Sequence, residues 1–392
     1  MNNAVKQHAS LHGIEVLEIQ DGIQTVRTSS SSVIGIIGTA PDASEEDFPI
    51  NEPVLISGSL SEVAKLGKSG TLPAALNGIL AQTGAMVVVV RIEEGEDDEN
   101  THLNIIGEAK PDGTYSGVYS FLASKSKLGT SPRILIAPGF CSKEVVTEMS
   151  LIANRLRAII VADVSDDTNE NMLNFVTSCA SDRIYAVYPK VINTKNEEVQ
   201  ASSYVAGVIA RNDNENGFWV SPSNKVINGI IGLSKPVDFS LGDPACRANY
   251  LNENGITTII NQNGYRVWGN RSTLNDGAYK FLCVRRTADI ISDSILQSHL
   301  WAVDRNIVKN YLTDVTESVN AFLANLKSQG AILAGKCFAN KELNTASNIA
   351  EGKVCFDFEF TPAYPAEHVT FRAYLNNENI ETLLLENLAY QG

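Results

Sequence analysis

Several groups of residues in this 392-residue chain have types and spacings that could do chemistry. Gly67-Lys68-Ser69 carries the last triplet of a phosphate-binding loop, whose amides and lysine hold nucleotide phosphates. Such a loop needs a glycine five residues before its Gly-Lys pair, where Glu62 stands, and a preceding strand, where Leu60 to Leu66 has helical spacing. Gly35 and Gly38 suggest a dinucleotide turn, but the three-glycine pattern is incomplete and Thr39-Ala40-Pro41 opens no helix, which leaves a tight strand exit. Asp163, Asp166 and Asp167 follow an apolar run, where parallel-sheet enzymes place metal-binding carboxylates. With no second carboxylate cluster, general base or lysine partner, capping of the next helix is the better reading.

His8 and His12 are spaced like helical ligands but lie in a polar terminus. Cys141, Cys179, Cys246, Cys283, Cys337 and Cys355 stand at least 18 positions apart, so they form neither a metal knuckle nor a disulfide framework and read as small buried hydrophobes. Glu93 to Glu99 places six acids in seven residues with Gly95 interrupting them, a solvated loop before it is an ion site. GxSxG, HExxH and paired-glutamate motifs are all missing. We therefore expect no catalytic residue, no metal site and no cofactor.

The elements that would have to position any site come next. With 31 basic and 45 acidic residues the net charge is −14, which disfavours partners bound through phosphates, so neither nucleic acid nor an anionic membrane is expected. MNNAVKQHAS lacks the apolar stretch of a signal peptide, and the run Ala85 to Val90 is far short of the ~20 residues that span a bilayer. A soluble protein made in the cytosol is expected.

From Val33 onward, apolar runs alternate with amphipathic stretches. Strands are expected at VIGIIG, Met86 to Ile92, PRILIAPGF, AIIVADV and Ile184 to Tyr188. Helices are expected at Leu60 to Leu66, Leu72 to Gln82, Ser142 to Arg157, Asn169 to Cys179 and Ala201 to Ala210. Continuous apolar strands between such helices indicate a layered α/β fold with a mainly parallel sheet. From about Val237 the rhythm changes to an α+β pattern. ITTIIN, YRVWGN and KFLCVRRT read as short strands, followed by a long helix with apolar residues from Leu300 through Val303, Ile307, Tyr311, Val315, Val319 and Phe322 to Leu326. Gly330 stands where a C-cap would. VCFDFEF (Val354 to Phe360) alternates as a half-exposed strand, with HVTFRAYL as a candidate partner. Gly13 to Ile19 and Ile380 to Leu388 look like extended β-arms at the two ends, the first detached from the body by the polar run Thr28 to Ser32. A lone strand is marginal in water, so each arm must pair with something. The expected division is residues 1–27 as an N-terminal arm, 28–236 as the α/β domain with an inserted or outer subdomain starting near 93–115, 237–365 as the C-terminal α+β domain, and 366–392 as a C-terminal strand and arm.

VIGIIGTAP (Val33 to Pro41), PAALNGILAQTGAMVVVVRI (Pro73 to Ile92), VAGVIARNDNENGFWVSPSN (Val205 to Asn224), GYRVWGNRST (Gly264 to Thr273) and VRRT (Val284 to Thr287) occur in one order along the chain. Together they resemble the tail sheath proteins of contractile-tailed phages and R-type bacteriocins. That resemblance implies a structural homo-oligomer: stacked hexameric rings form a helical sheath around an inner tail tube protein, and contraction drives the tube through a target envelope. It implies further contacts with baseplate and tail terminator proteins, assembly in the cytoplasm of a bacterial host, and a place in the released virion or bacteriocin particle. It also implies that neighbours exchange arm strands, which places Ile14, Val16, Leu17 and Ile19 on one arm and Ile380, Leu383 and Leu385 on the other. Val354, Phe356, Phe358 and Phe360 would belong to the receiving sheet. For contact with the tube the candidates are the basic residues Arg285, Arg286, Arg305 and Lys309, whose plainer reading is surface charge or salt bridges. A nucleotide-type α/β enzyme and a monomeric small-ligand binding protein are the rival readings.

Overall fold

Each apolar run expected to be doubly buried forms a strand of one large sheet. The computed structural model describes residues 25–165, 168–274, 276–377, 379–380, 382 and 384–385. In chain order its first elements are β1 (Ile34–Thr39), β2 (Pro53–Ser57), α1 (Leu60–Ala64), α2 (Leu72–Leu80), β3 (Met86–Ile92), α3 (Asp98–Ile106), α4 (Ser124–Leu128), β4 (Ile134–Ile136), α5 (Lys143–Leu156), β5 (Ile159–Asp163), α6 (Asn169–Ser178) and β6 (Ile184–Tyr188). After them come β7 (Val191–Asn193), β8 (Glu198–Val199), α7 (Ala201–Asn216), β9 (Ile230–Leu233), α8 (Arg247–Glu253), β10 (Ile256–Asn261) and β11 (Tyr265–Trp268).

The large sheet has the order β11-β10-β6-β5-β4-β1-β3-β2. Its six inner strands are parallel, and β2 and β11 close the edges antiparallel. Alternate residues of each inner strand feed two cores. Ile34, Ile36, Val87, Val89, Ile134 and Val161 meet α2 and α7 on one face, while Ile37, Val88, Val90, Leu135 and Ile160 meet α5 on the other. Burial on both faces is why these strands read as unbroken apolar runs. The sheet also runs across the 236/237 division, since β10 pairs with β6.

The remaining elements are α9 (Leu282–Ser298), α10 (Lys309–Ser328), β12 (Ile332–Ala339), α11 (Ala346–Ala350) and β13 (Phe356–Pro362). β12 and β13 make a two-stranded antiparallel sheet that packs on α10 through Phe322, Leu323, Leu326, Ile332 and Cys337. α10 ends in paired caps at Gly330, which has φ +80°: the Ala331 amide donates to the Leu326 carbonyl, and the Gly330 amide to that of Lys327.

Several expectations need correction here. KFLCVRRT is not a strand: Leu282 to Thr287 opens α9, because packing on the body overrides its local β-like composition. The helix expected from Leu300 begins only at Lys309, for Leu300 and Val303 are 79% and 61% exposed and have no core to hold a helical stripe. The partner of β13 is β12, and HVTFRAYL is irregular and exposed. The expected strand at Ile380 to Leu388 is helical at its described positions, Ile380 and Leu385 among them. The Thr28 to Ser32 run does not detach the N-terminal segment from the body. Val26 is buried against Ile290 and Phe322, and the Arg27 and Ser29 amides donate to the hydroxyls of Ser298 and Ser294 on α9. Glu93 to Glu99 is a loop only in part, for Asp97 caps α3 and Asp98 and Glu99 lie in its first turn, at the positive end of the helix. Ile14, Val16, Leu17, Ile19, Leu383, His8, His12, Asp166 and Asp167 lie outside the described residues.

Candidate assembly interface

The residue groups that suggested chemistry are occupied by structural work. The Lys68 and Ser69 amides donate to the Asp42 carboxylate at 3.0 and 2.9 Å, so the chain's own acid fills the nest that a phosphate would need, and those amides hold its pKa low. Gly35 and Gly38 lie inside β1; a side chain at Gly35 would strike Leu135 and Phe121 at 2.8–2.9 Å, and one at Gly38 would strike Thr71 at 2.3 Å. The glycines serve close packing there. Burial raises the thiol of Cys283 to about 11 and pushes that of Cys141 further up, which keeps both protonated at neutral pH.

Asp163 caps a helix, but not the next one. Thr168 caps α6, whereas the Asp163 carboxylate accepts from the Ser202 amide at 2.8 Å and from the Ser202 hydroxyl, at the start of α7. The parallel topology sets the later helix over the end of β5. Burial pushes its pKa up to about 6 from an ordinary 3.8, although the Ser202 hydrogen bonds pull the other way. An acid raised in the folded state favours folding below pH 4 and loses that contribution as pH rises through 6. At ~1.36 kcal/mol per unit this amounts to about 3 kcal/mol. Relative to wild type, Asp163→Asn should therefore gain about 3 kcal/mol of urea-measured stability between pH 4 and 6.5. A constant difference between the two proteins across that range would contradict the buried-acid account.

Arginines at the entrances of three strands hold α9 against the sheet. Arg133 precedes β4, Arg157 precedes β5 and Arg183 precedes β6. Asp289 and Asp293, one turn apart on α9, meet them. Arg183 grips Asp289 with both guanidinium nitrogens at 2.6 and 2.9 Å, while Arg133 and Arg157 share Asp293. Both carboxylates are almost fully buried. The predicted tube-facing set divides accordingly. Arg286 is buried, clamps Asp213 with both nitrogens and donates to the Ser31 carbonyl, so it faces no partner. Arg285 pairs with Asp182 and Asp289 and lies 4.2 Å above the Tyr279 ring. Arg305, stacked on Trp301, and Lys309 are exposed beside Leu300, Val303 and Val308.

Among the described residues, the small sheet has one open rim. The Asn320 side chain on α10 donates to the Cys337 carbonyl at 3.0 Å and accepts from its amide at 2.7 Å, so Cys337 turns its main chain away from β13. Cys337 stands opposite Phe358, and residues opposed in an antiparallel pair share one orientation. Phe358, and by the same alternation Phe356 and Phe360, therefore turn their amides and carbonyls outward from the free rim of β13, while Asn320 covers the middle of the β12 rim. Phe356 and Phe360 pack toward α10, and Phe358, stacked 6.5 Å from Phe360, is 38% exposed. Val354 lies before the strand, whose boundary is two residues later than its pattern suggested. Beyond β13 the chain is anchored by Tyr364 against Phe281 and by Glu367 on Arg271, then runs on with Val369, Phe371, Tyr374 and Leu375 exposed. Sequence reasoning missed Asn320 and β12; the glycine and lysine in β12 hid its strand pattern.

An open strand rim followed by an exposed apolar stretch is the geometry of a chain that other chains can complete. The family model of the phage tail sheath protein central domain matches residues 115–273, that of the phage tail sheath C-terminal domain residues 275–376, and that of the N-terminal region of domain III of tail sheath protein Gp18 residues 31–92. A major tail sheath protein from a prophage of Pseudomonas aeruginosa (strain UCBPP-PA14) is 37% identical over 379 residues, covering 95% of this chain and 98% of that one. The tail sheath protein of Escherichia phage P2 is 34% identical over 385 residues, with 95% and 97% covered. In fold the chain is similar to the sheath of an extracellular contractile injection system (PVC) in its contracted state, with a TM-score of 0.73 at 18% identity over 95% of this chain and 100% of that one. With such identity sustained over nearly its whole length, the chain belongs to the phage tail sheath protein family.

Proposed function

We infer that this chain is the structural subunit of a contractile tail sheath, which polymerises and shortens to drive an inner tube through a target envelope. The observation that carries this reading is the rim at Phe356, Phe358 and Phe360, open among the described residues and followed by an exposed apolar stretch from Val369 to Leu375. Strand addition from neighbouring copies would satisfy that rim with main-chain hydrogen bonds and cover Phe358. The donors in this reading are the Gly13 to Ile19 arm and the C-terminal segment. Stacked hexameric rings are the proposed assembly, with an inner tube protein inside and baseplate and terminator proteins at its ends. Arg305 and Lys309, among exposed apolar side chains, are the proposed tube-facing residues. Assembly would take place in the host cytoplasm before the sheath becomes part of the released particle, with neither nucleic acid nor membrane as a partner.

The role proposed is mechanical and not catalytic. A nucleotide enzyme would need the nest that Asp42 fills. A monomeric ligand receptor would have no use for the open rim.

Negative-stain microscopy of the concentrated protein tests the reading: tubes or stacked rings are expected, and uniform small particles under all conditions would overturn it. Proline substitution probes the rim directly. Phe358→Pro removes an outward amide and should leave a folded chain, weakened by about 1–3 kcal/mol of lost packing, that does not assemble. Glu359→Pro removes an amide facing β12 and should instead disrupt the small sheet itself. Normal tubes from Phe358→Pro would exclude β13 as the receiving edge.

A further inference from the structure

A second surface, apart from the strand rim, is built for a charged partner. Between the last turns of α7 and the segment that runs beside β11 lies a cleft of about 500 Å³, lined by Arg211, Glu215, Asn224, Lys225, Asn228 and Arg266. Among the described residues its guanidiniums donate to neutral oxygens: Arg211 to the Val226 carbonyl and the Gln82 side chain, Arg266 to the carbonyls of Gln262 and Asn224. Among the described residues, none of Arg211, Lys225 and Arg266 forms an ion pair, although Glu215 shares the cleft. In a chain of net charge −14, three cations converge on a concave surface with one carboxylate, Glu215, that pairs with none of them among the described residues.

The complementary feature follows β3. Glu93, Glu94, Glu96, Asp97, Asp98 and Glu99 are all exposed, and none of them forms an ion pair among the described residues. The two surfaces lie at opposite ends of β3 in one chain. Arg211 and Asn228 bond Gln82, four residues before that strand, whereas the acids follow its far end, and its seven residues span about 23 Å at ~3.3 Å each. Glu93 to Asp97 is a five-residue loop tethered between β3 and α3.

We propose that the Arg211–Lys225–Arg266 cleft receives the Glu93–Glu99 segment of a second copy of this chain. Such a contact joins two different surfaces, so it is heterologous and propagates into a ring or a helix. The inference rests on the polymerisation reading and adds to it an ionic contact independent of strand exchange. Charge complementarity selects this occupant: the chain's densest run of exposed acids matches a concave site of opposite sign.

The test reverses charge on each side in the full-length chain. Lys225→Glu with Arg266→Glu makes the cleft acidic, and Glu93→Lys, Glu94→Lys and Glu96→Lys make the loop basic. Each set alone should raise the critical concentration for assembly, read by sedimentation and microscopy, at least tenfold with melting unchanged. Both sets in one chain should restore assembly toward wild type, as should mixing the two reversed proteins. Assembly of either reversed protein at the wild-type concentration would overturn the proposal, as would a combined variant no better than the worse of its parents. Tight binding of inorganic phosphate by the wild-type chain, alongside normal assembly of the cleft variant, would assign the cleft to a small anion instead. A wild-type chain that stays monomeric at every concentration would sink both this contact and the polymerisation reading, whereas tubes from all variants would sink the contact alone.

Discussion

A chain lacking Met1 to Gln20 is expected to melt cooperatively as a soluble monomer and to form no tubes. Among the described residues the first to enter a core is Val26, and the Arg27 and Ser29 amides tie the chain to α9, so the cut leaves these contacts in place. What the proposal assigns to the missing segment is the supply of a strand to another copy. Roughly six main-chain hydrogen bonds at ~1 kcal/mol net each are at stake per contact, enough to shift assembly by several powers of ten. Sedimentation and circular dichroism against the full chain make the comparison. Unfolded aggregate from the shortened protein would mean that Gly13 to Ile19 belongs to its own body, and full-length tubes would mean that the arm has no part in polymerisation.

The second large effect is on stability. Asp293→Ala should cost about 3–5 kcal/mol in urea unfolding, because it leaves Arg133, itself almost fully buried, without its carboxylate and strips Arg157 of the same partner. Changing both members of the Arg286–Asp213 pair, to Met and Leu, should be near neutral by comparison, since no lone charge remains in the interior. A loss below about 1 kcal/mol for Asp293→Ala would mean that water reaches the site and that α9 is held by its apolar contacts alone.

These pairs also explain what could and could not be read from the sequence. The parallel strands were legible because burial on both faces writes a continuous apolar run, as at Val87 to Val90, and that signal is local. β2 was missed, a short edge strand that opens on Pro53 and carries half-buried Val54 and Leu55. α9 was misread because Phe281 to Val284 looks like a strand to its neighbours. Its helical identity lies in Arg286, Asp289 and Asp293, whose partners Asp213, Arg183 and Arg133 are between 73 and 160 positions away. The same distance misled the choice of Arg285 and Arg286 as outward cations: an acidic chain holds many candidate partners, and only the fold selects among them. At the small sheet, the alternation of Phe356, Phe358 and Phe360 located β13. The direction in which its main chain points depended on Asn320, an ordinary amide in the middle of a helix. The basic cleft left no trace in the sequence, since its three cations come from three separate segments.

The stretch from Ala363 to Asn377 has a practical consequence. It is irregular and largely exposed, with Phe371 and Leu375 more than nine-tenths accessible, and Arg372 lies between them. Exposed backbone outside helix and sheet can enter a protease active site with little local unfolding. In the lone subunit, trypsin should cut after Arg372 quickly, while the hydrogen-bonded body resists. Any neighbour that covers the segment would slow the cut, so the rate of loss of a C-terminal fragment reports, on a gel, how much of the protein has left the monomer pool.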